Sequence, residues 1–331
     1  MTIQTGDLLK ERYRILRSIG QGGMGSVYLA DDEVLAGRQC ALKVVTIEPY
    51  ASKESIVQAK EQFLREASVL ARLDHPNLPK VSDFFIYQDA DILVMDYVPG
   101  EDLKTLMDEA VSINEFLPLE EVLKWTRQLV DALSYLHQQN PPIVHRDIKP
   151  SNIKLTPSGV IKLVDFGLVK LLAPDERTIT VVQGRGTVYY TPLEQYGGDN
   201  GHTDARSDIY SLAATVYHLL TNQAPPEAKV RFVSREKLLP MRAINPEVTQ
   251  RIEKAIEWAL SLHPTERPES IIQFQKALFE GIFPAENGRN VFIPQSSSEW
   301  LEKALSDRLQ LLLAITAGLL MLMGAMATLL R

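Results

Sequence analysis

The hydrophobic period changes at Pro99–Gly100, and this change limits the fold more than any other feature of the sequence. Before it come short β-branched runs separated by glycine and polar residues: Y-R-I-L-R-S-I from Tyr13, S-V-Y-L-A from Ser26, C-A-L-K-V-V from Cys40, then residues 84–87 and 92–97. Such runs predict strands of an antiparallel sheet. One amphipathic helix interrupts them, because Ile56, Phe63, Ala67, Leu70 and Leu73 recur at helical spacings up to the D-H-P-N turn at Asp74–Asn77. After Gly100 the pattern is helical, with helices expected over 119–137, 208–220 and 248–262. The expectation is therefore an α+β, bilobal chain: a β-rich first lobe with one main helix (13–96) and a helical second lobe (101–281), joined near residues 97–101. No internal repeat is present. With 331 residues, 45% of them hydrophobic and 23% charged, both lobes have enough apolar material for a packed core.

Charge and cysteine content remove several classes of function. The formal net charge is −7 and no basic block stands out, which argues against nucleic acid as a partner. Cys40 is the single cysteine, so a disulfide framework and a Cys-rich zinc site are both excluded.

The two ends read differently. M-T-I-Q-T-G-D-L-L-K lacks the basic start and apolar run of a secretory signal, and residues 1–12 are taken as an N-terminal extension. From Leu309 to Leu330 there is no charged residue in 22 positions, a helix of about 33 Å against a hydrocarbon core of about 30 Å. The expectation is a transmembrane helix over 309–330, with 282–308, including Ser296–Ser298, as a juxtamembrane linker. Small residues four apart, Ala314 with Gly318 and Gly324 with Thr328, suit close pairing with a second copy (a homodimer) or with a partner membrane protein. Lys303 and Arg308 on one side and Arg331 on the other leave the orientation to be set by the chemistry.

Three clusters carry that chemistry. G-Q-G-G-M-G-S-V, Gly20–Val27, lies between two expected strands, where glycines let backbone amides approach an anion. A dinucleotide fold would need a helix to follow, but S-V-Y-L-A is strand-like. Lys43 shares a strand face with the small Ala41, and Glu66 sits on the helix face with Phe63, Ala67 and Leu70, in position to pair with Lys43. Finally H-R-D-I-K-P-S-N, His145–Asn152, is followed thirteen residues after Asn152 by D-F-G at Asp165–Gly167. Phosphoryl transfer needs a carboxylate at the attacking hydroxyl, oxygen ligands for a divalent ion and cations against the phosphates. Asp147, Asn152, Asp165 and Lys149 supply these types in order.

From about Tyr13 to Gly281 the sequence resembles the eukaryotic-type protein kinases, and G-Q-G-G-M-G-S-V-Y-L-A is similar to their bacterial membrane-bound branch. The resemblance implies ATP with Mg2+ or Mn2+ as cofactors and serine or threonine hydroxyls of protein substrates as acceptors. It implies that Gly20, Gly22 and Gly25 cover the phosphates, and that Val27, Ala41 and Lys154 border the adenine. Lys43 would contact the α and β phosphates and pair with Glu66. Met95 resembles the gatekeeper, Asp96 and Val98 would offer backbone groups to adenine, and Asp102 would reach the ribose. Asp147 would be the base, Asn152 and Asp165 the metal ligands, and Lys149 marks the serine/threonine class. Arg146 resembles the arginine that receives a phosphate on the activation segment, which makes Thr178 and Thr180 candidate autophosphorylation sites. Thr187 would meet Asp147 and Lys149 near the substrate. Asp208 and the Glu194–Arg267 pair resemble structural braces.

Two departures qualify the resemblance. P-L-E at Pro192–Glu194 stands where A-P-E is usual, which puts the local turn in question, and Lys154 replaces an apolar residue under the adenine. Two other readings fit less well: a catalytically inert scaffold, since no lysine, base or metal-binding residue is missing, and a small-molecule phosphotransferase, since those generally lack the G-T to P-x-E segment found here at Gly186–Glu194. ATP chemistry implies a catalytic domain on the cytoplasmic side of a cell membrane crossed once. Input is then expected from partner membrane proteins, from pairing of the span, or from the cytoplasm.

Overall fold

A computed structural model describes residues 3–22, 25–45, 61, 63–65, 67–88, 90–165, 188–196, 203–284, 291–296 and 299. Its first lobe is a six-stranded antiparallel sheet: β1 (Leu8–Leu9), β2 (Tyr13–Gly22), β3 (Gly25–Asp32), β4 (Gln39–Val45), β5 (Val81–Tyr87) and β6 (Ala90–Asp96), ordered β1-β2-β3-β4-β6-β5. Alternation along the strands divides their side chains between two cores. Ala41, Leu93 and Met95 face one layer with Phe63, Ala67 and Leu70, which come from helical turns within residues 61–70. Cys40, Leu42, Val44, Ile92 and Val94 face the other, and this second face is covered by Ile3, Leu9 and Tyr13. Residues before Tyr13 are thus part of the lobe, held by a strand too short to show a period.

The hinge leads into a small second sheet, β7 (Glu101–Asp102), β8 (Ile153–Leu155) and β9 (Ile161–Leu163), in that order. Sequence periodicity missed it because strands of two or three residues carry no alternation to count. Four helices set the frame of the second lobe: α1 (Leu103–Ser112), α2 (Leu119–His137), α3 (Ala205–Thr221) and, beyond two shorter ones, α6 (Gln250–Ala259). The intervening pair is α4 (Ala228–Ser234) and α5 (Met241–Ile244). Side-chain oxygens cap the N-termini: Asp102 accepts from Thr105 N, Asp204 from Arg206 N and Thr249 from Ile252 N. α2 spans the expected 119–137 and α3 contains 208–220, whereas α6 is shorter than the expected 248–262 at both ends, starting after its cap Thr249 and stopping at Ala259 before the C-cap Leu260. α3 is buried nearly all round, including Asp208, Ser211 and Thr215, so it forms the axis of the lobe.

Behind the cleft the lobes are bolted at Asn77, in the D-H-P-N turn. Its buried amide nitrogen donates to Gln128 Oε1 of α2 and to Ile161 O of β9, both at 2.8 Å, and its carbonyl accepts from Leu163 N at 2.8 Å. Past Gly281 the chain doubles back as β10 (Ile282–Phe283) against β11 (Val291–Phe292), and Arg251 of α6 binds Glu299 at 2.8 Å. No helix among the described residues is long and apolar enough to cross a membrane. The expected span at 309–330 lies outside them, as does most of 297–308.

Gly100, between the lobes, has φ +100°, and a Cβ there would sit 2.0 Å from the carbonyl oxygen of Leu155. Gly100→Ala is expected to part β7 from β8 and to cost on the order of 2 kcal/mol, read as a lowered urea midpoint.

Candidate active site

The segment between α2 and β8 has no regular structure until the single turn at Pro150–Asn152, so side chains must hold it in shape. Asp208 does most of this. Its fully buried carboxylate accepts from His145 N at 2.9 Å, Arg146 N at 2.8 Å and His137 Nε2 at 2.9 Å. Thr215, two turns further along α3, adds a bond to Ile148 O at 3.3 Å. Arg146 adopts φ +68°, a conformation costly for a side-chain-bearing residue, and the two adjacent amides on Asp208 hold it there. Burial alone would push the Asp208 carboxyl up, but the hydrogen bond from His137 and the Arg146 N–H outweigh it and the carboxyl lies low. Burial likewise pushes His145 down, toward the neutral ring.

On this frame Asp147 is aimed and half spent. Its Oδ2 accepts from Lys149 Nζ and from Asn152 Nδ2, each at 2.8 Å, while the buried Oδ1 has no hydrogen-bond partner among the described residues. Asn152 Nδ2 also donates to Asp147 O at 2.8 Å, and Asn152 O accepts from Val164 N at 2.8 Å. The amide nitrogen is thereby committed, and the amide oxygen points the other way.

Asp165 follows β9 with φ +62°, and its Oδ1 lies 2.6 Å from Lys43 Nζ, across the interlobe gap from β4. Burial raises the Asp165 carboxyl, but the Lys43 charge and hydrogen bond, with Lys149 behind them, bring it below the ordinary range. An ionised carboxylate and an amide oxygen suit a hard divalent ion that also takes phosphate oxygens, as Mg2+ does. No cluster of three or more His, Cys, Asp or Glu side chains offers a rival metal site among the described residues.

A cleft of about 340 Å3 opens between the lobes beside this cluster. Gly20, Val27, Ala41, Met95, Asp96, Val98, Asp102, Lys154 and Asp165, all singled out from the sequence, line it. Arg17, Ile19, Pro79, Tyr97, Gly100, Ser151 and Val164 also line it and were not anticipated. Alternation from Tyr13 and Ile15 would have put Arg17 and Ile19 on the outer face; a register shift between Ile15 and Arg17 turns them to the cleft, and no sequence pattern records it. Gly22 and Gly25 pair across the tip of the β2–β3 hairpin, Gly25 with φ +136°. Asp102 Oδ1 is engaged in capping α1, and Lys154 stands opposite Asp102 in the small sheet. The other brace is also formed: Arg267 Nη1 and Nη2 reach Glu194 at 2.6 and 3.0 Å, and Ser207 Oγ donates to Glu194 at 2.8 Å. The turn after Pro192 is one 3-10 turn, Leu193–Gln195, so the displaced proline leaves Glu194 on Arg267. Glu66, Thr178, Thr180 and Thr187 lie outside the described residues, as do Phe166 and Gly167.

Comparison with known proteins agrees with this geometry. The family model for the protein kinase domain matches residues 13–279. The chain belongs to the protein kinase family. It is 36% identical over 271 residues to the serine/threonine-protein kinase PrkC of Bacillus subtilis, covering 80% of this chain and 40% of that one. To the probable serine/threonine-protein kinase PknB of Lactococcus lactis it is 33% identical over 259 residues, 77% of this chain and 39% of the relative. The chain thus spans about two fifths of the length of these curated relatives. Among solved structures, the kinase domain of Mycobacterium tuberculosis PknI superposes with a TM-score of 0.65 at 29% identity, over 84% of this chain and 98% of that one. The relatives named serine/threonine kinases in these comparisons are bacterial.

Asp208 is expected to make the kinase fold pH-sensitive at the acid end. Because its folded pKa is depressed, its contribution is complete above the unfolded value near 4 and is lost as pH falls below that. Asp208→Asn is expected to cost about 3–5 kcal/mol at pH 7. In paired urea titrations the gap to wild type should narrow below about pH 4.

Proposed function

We propose that this protein transfers the γ-phosphate of Mg·ATP to serine or threonine hydroxyls of protein substrates. The observation that carries the reading is the state of Asp147: Lys149 and Asn152 fix one carboxylate oxygen and so orient the group, and the other makes no hydrogen bond among the described residues. A carboxylate so oriented accepts the hydroxyl proton as the oxygen attacks phosphorus, and Lys149 beside it offsets negative charge on the transferring group. Lys43, which pairs with Asp165 across the cleft, would hold the α and β phosphates. Ala41, Val27, Val164 and the Lys154 stem, which line the cleft, would hold the adenine, and backbone groups of Asp96 and Val98 would meet its edge. Asn152 and Asp165 would hold the divalent ion, which when bound neutralises phosphate charge. An inert scaffold is disfavoured by the same features, since none of these groups is replaced.

Radiolabelled Mg·ATP and a mixture of protein acceptors test the reading. Asp147→Asn is expected to lower phosphotransfer by about 10²–10⁴ without changing the circular dichroism spectrum. Equal activity in both proteins would sink the assignment of the base. Lys43→Met is expected to weaken nucleotide binding as well as turnover.

The reading extends to regulation and place. Arg146, next to the base, would receive a phosphate from the segment that carries Thr178 and Thr180, so autophosphorylation there would order the substrate-binding face near Thr187. Residues 309–330 serve as a single membrane span that keeps the catalytic domain on the cytoplasmic side, and pairing of that span, or a partner membrane protein, supplies input. Flotation of the full chain with lipid vesicles, resistant to high salt and alkaline carbonate, is the expected result. Recovery in the soluble fraction would remove the span from the proposal.

A further inference from the structure

The outer face of the first lobe carries an unbroken line of charged contacts from the N-terminal residues to the hinge, and the chemistry above makes no use of it. Arg12 grips Asp32 with two hydrogen bonds, Nε to Oδ1 at 2.8 Å and Nη2 to Oδ2 at 2.7 Å. The Asp32 side chain is wholly buried and also accepts from Val34 N and Leu35 N, which closes the β3–β4 hairpin. Arg38, across the same loop and accepting at its carbonyl from Asp32 N at 2.9 Å, is shared. Its Nη1 lies 3.8 Å from Asp32 Oδ2 and its Nη2 donates to Asp96 Oδ1 at 3.2 Å. Asp96 is the last residue of β6 and lines the cleft. It is also clasped to Lys80: its N–H donates to Lys80 O at 2.9 Å and its Oδ2 accepts from Lys80 N at 3.3 Å.

A half-exposed arginine–carboxylate pair is worth little by itself. Arg38 differs because its other nitrogen faces a buried anion that cannot move. The Arg12 hydrogen bonds pull the Asp32 carboxyl down to about 2 against the opposing effect of burial, so the anion persists at any ordinary pH. Arg12 is itself seated: its N–H donates to Leu9 O, its carbonyl accepts from Glu33 N, and neighbouring Lys10 binds Asp83 of β5. The buried Leu9 beneath it anchors this stretch to the outer core.

We propose that Arg38 is a positioning residue for the nucleotide. Held by Asp32, and through it by Arg12 of the N-terminal stretch, it fixes Asp96 and thereby the height at which the hinge presents its backbone to adenine. This rests on the proposed use of the cleft for Mg·ATP. The chemical demand is one of placement: hydrogen bonds to a purine edge weaken steeply once the backbone groups leave their geometry.

Fluorescence titration of the full chain with the Mg complexes of N-methylanthraniloyl ATP and GTP tests it. Arg38→Ala is expected to weaken ATP binding by roughly 3- to 10-fold, the net worth of about one ordinary hydrogen bond, and to lower the preference for ATP over GTP. Asp32→Asn should act in the same direction, and Arg38→Lys, which keeps charge but cannot bridge two carboxylates, should fall between. Arg14→Ala removes an exposed pair with Glu33 that does not reach the hinge, and it should leave both quantities unchanged. A purely structural role would lower the melting temperature and the active fraction without altering affinity or preference. If Arg38→Ala fails to fold, Asp96→Asn keeps the shape and removes the charge that Arg38 grips, with the same expectation. Wild-type affinity and ATP preference in whichever of these two variants folds would overturn this inference alone. Failure of the wild-type chain to bind Mg·ATP would overturn both it and the proposed function.

Discussion

The buried carboxylate of Asp208 is the contact on which the site depends. The residues around Asp147 belong to no helix or sheet, and their backbone amides would be orphaned in the interior without an acceptor. One charged side chain on the most buried helix collects two consecutive amides and a histidine, and the cost of burying that charge is offset by three hydrogen bonds. The left-handed turn at Arg146 follows from this, and with it the direction in which Asp147 points. Conformational strain at residue 146 and desolvation at residue 208 are therefore two sides of one arrangement.

Asn77 complements it from the other lobe. A single amide reaches both α2 and β9, so the back of the cleft is pinned to the same helical frame that carries the catalytic loop. The front has no comparable bolt among the described residues, and the lobes meet there through the hinge and the Lys43–Asp165 pair. Motion is expected to open the mouth and leave the rear in place.

Much of this was legible in the amino-acid sequence, and the failures have physical causes. Long elements with a clear period, such as Leu119–His137, were found to the residue. Ordered polar sets, Lys43 with Asp147, Asn152 and Asp165, were found because each chemical demand restricts the residue type, and the structure brings Lys43 to Asp165 and Asn152 to Asp147. At Lys43 the sequence pointed to Glu66, which lies outside the described residues; among the described residues Lys43 pairs with Asp165. The cleft wall at Pro79, Tyr97 and Ser151 was invisible because those residues are placed by turns and lobe closure, which no local pattern records. The small sheet and the β10–β11 return were missed for want of length. The Arg12–Asp32–Arg38–Asp96 line was also hidden, since four charged residues spread over 85 positions look like ordinary surface until the strands align them.

The packing of Ile3, Leu9 and Tyr13 on the outer sheet face bears on where this folding unit begins. Similarity to the family starts at Tyr13, yet the apolar lid that shields Cys40, Leu42 and Val94 from water is partly supplied by the residues ahead of it. A recombinant fragment trimmed to the alignment would lose a shutter from its own sheet. The expected penalty is a sticky, aggregation-prone back, even with every phosphate-handling group intact.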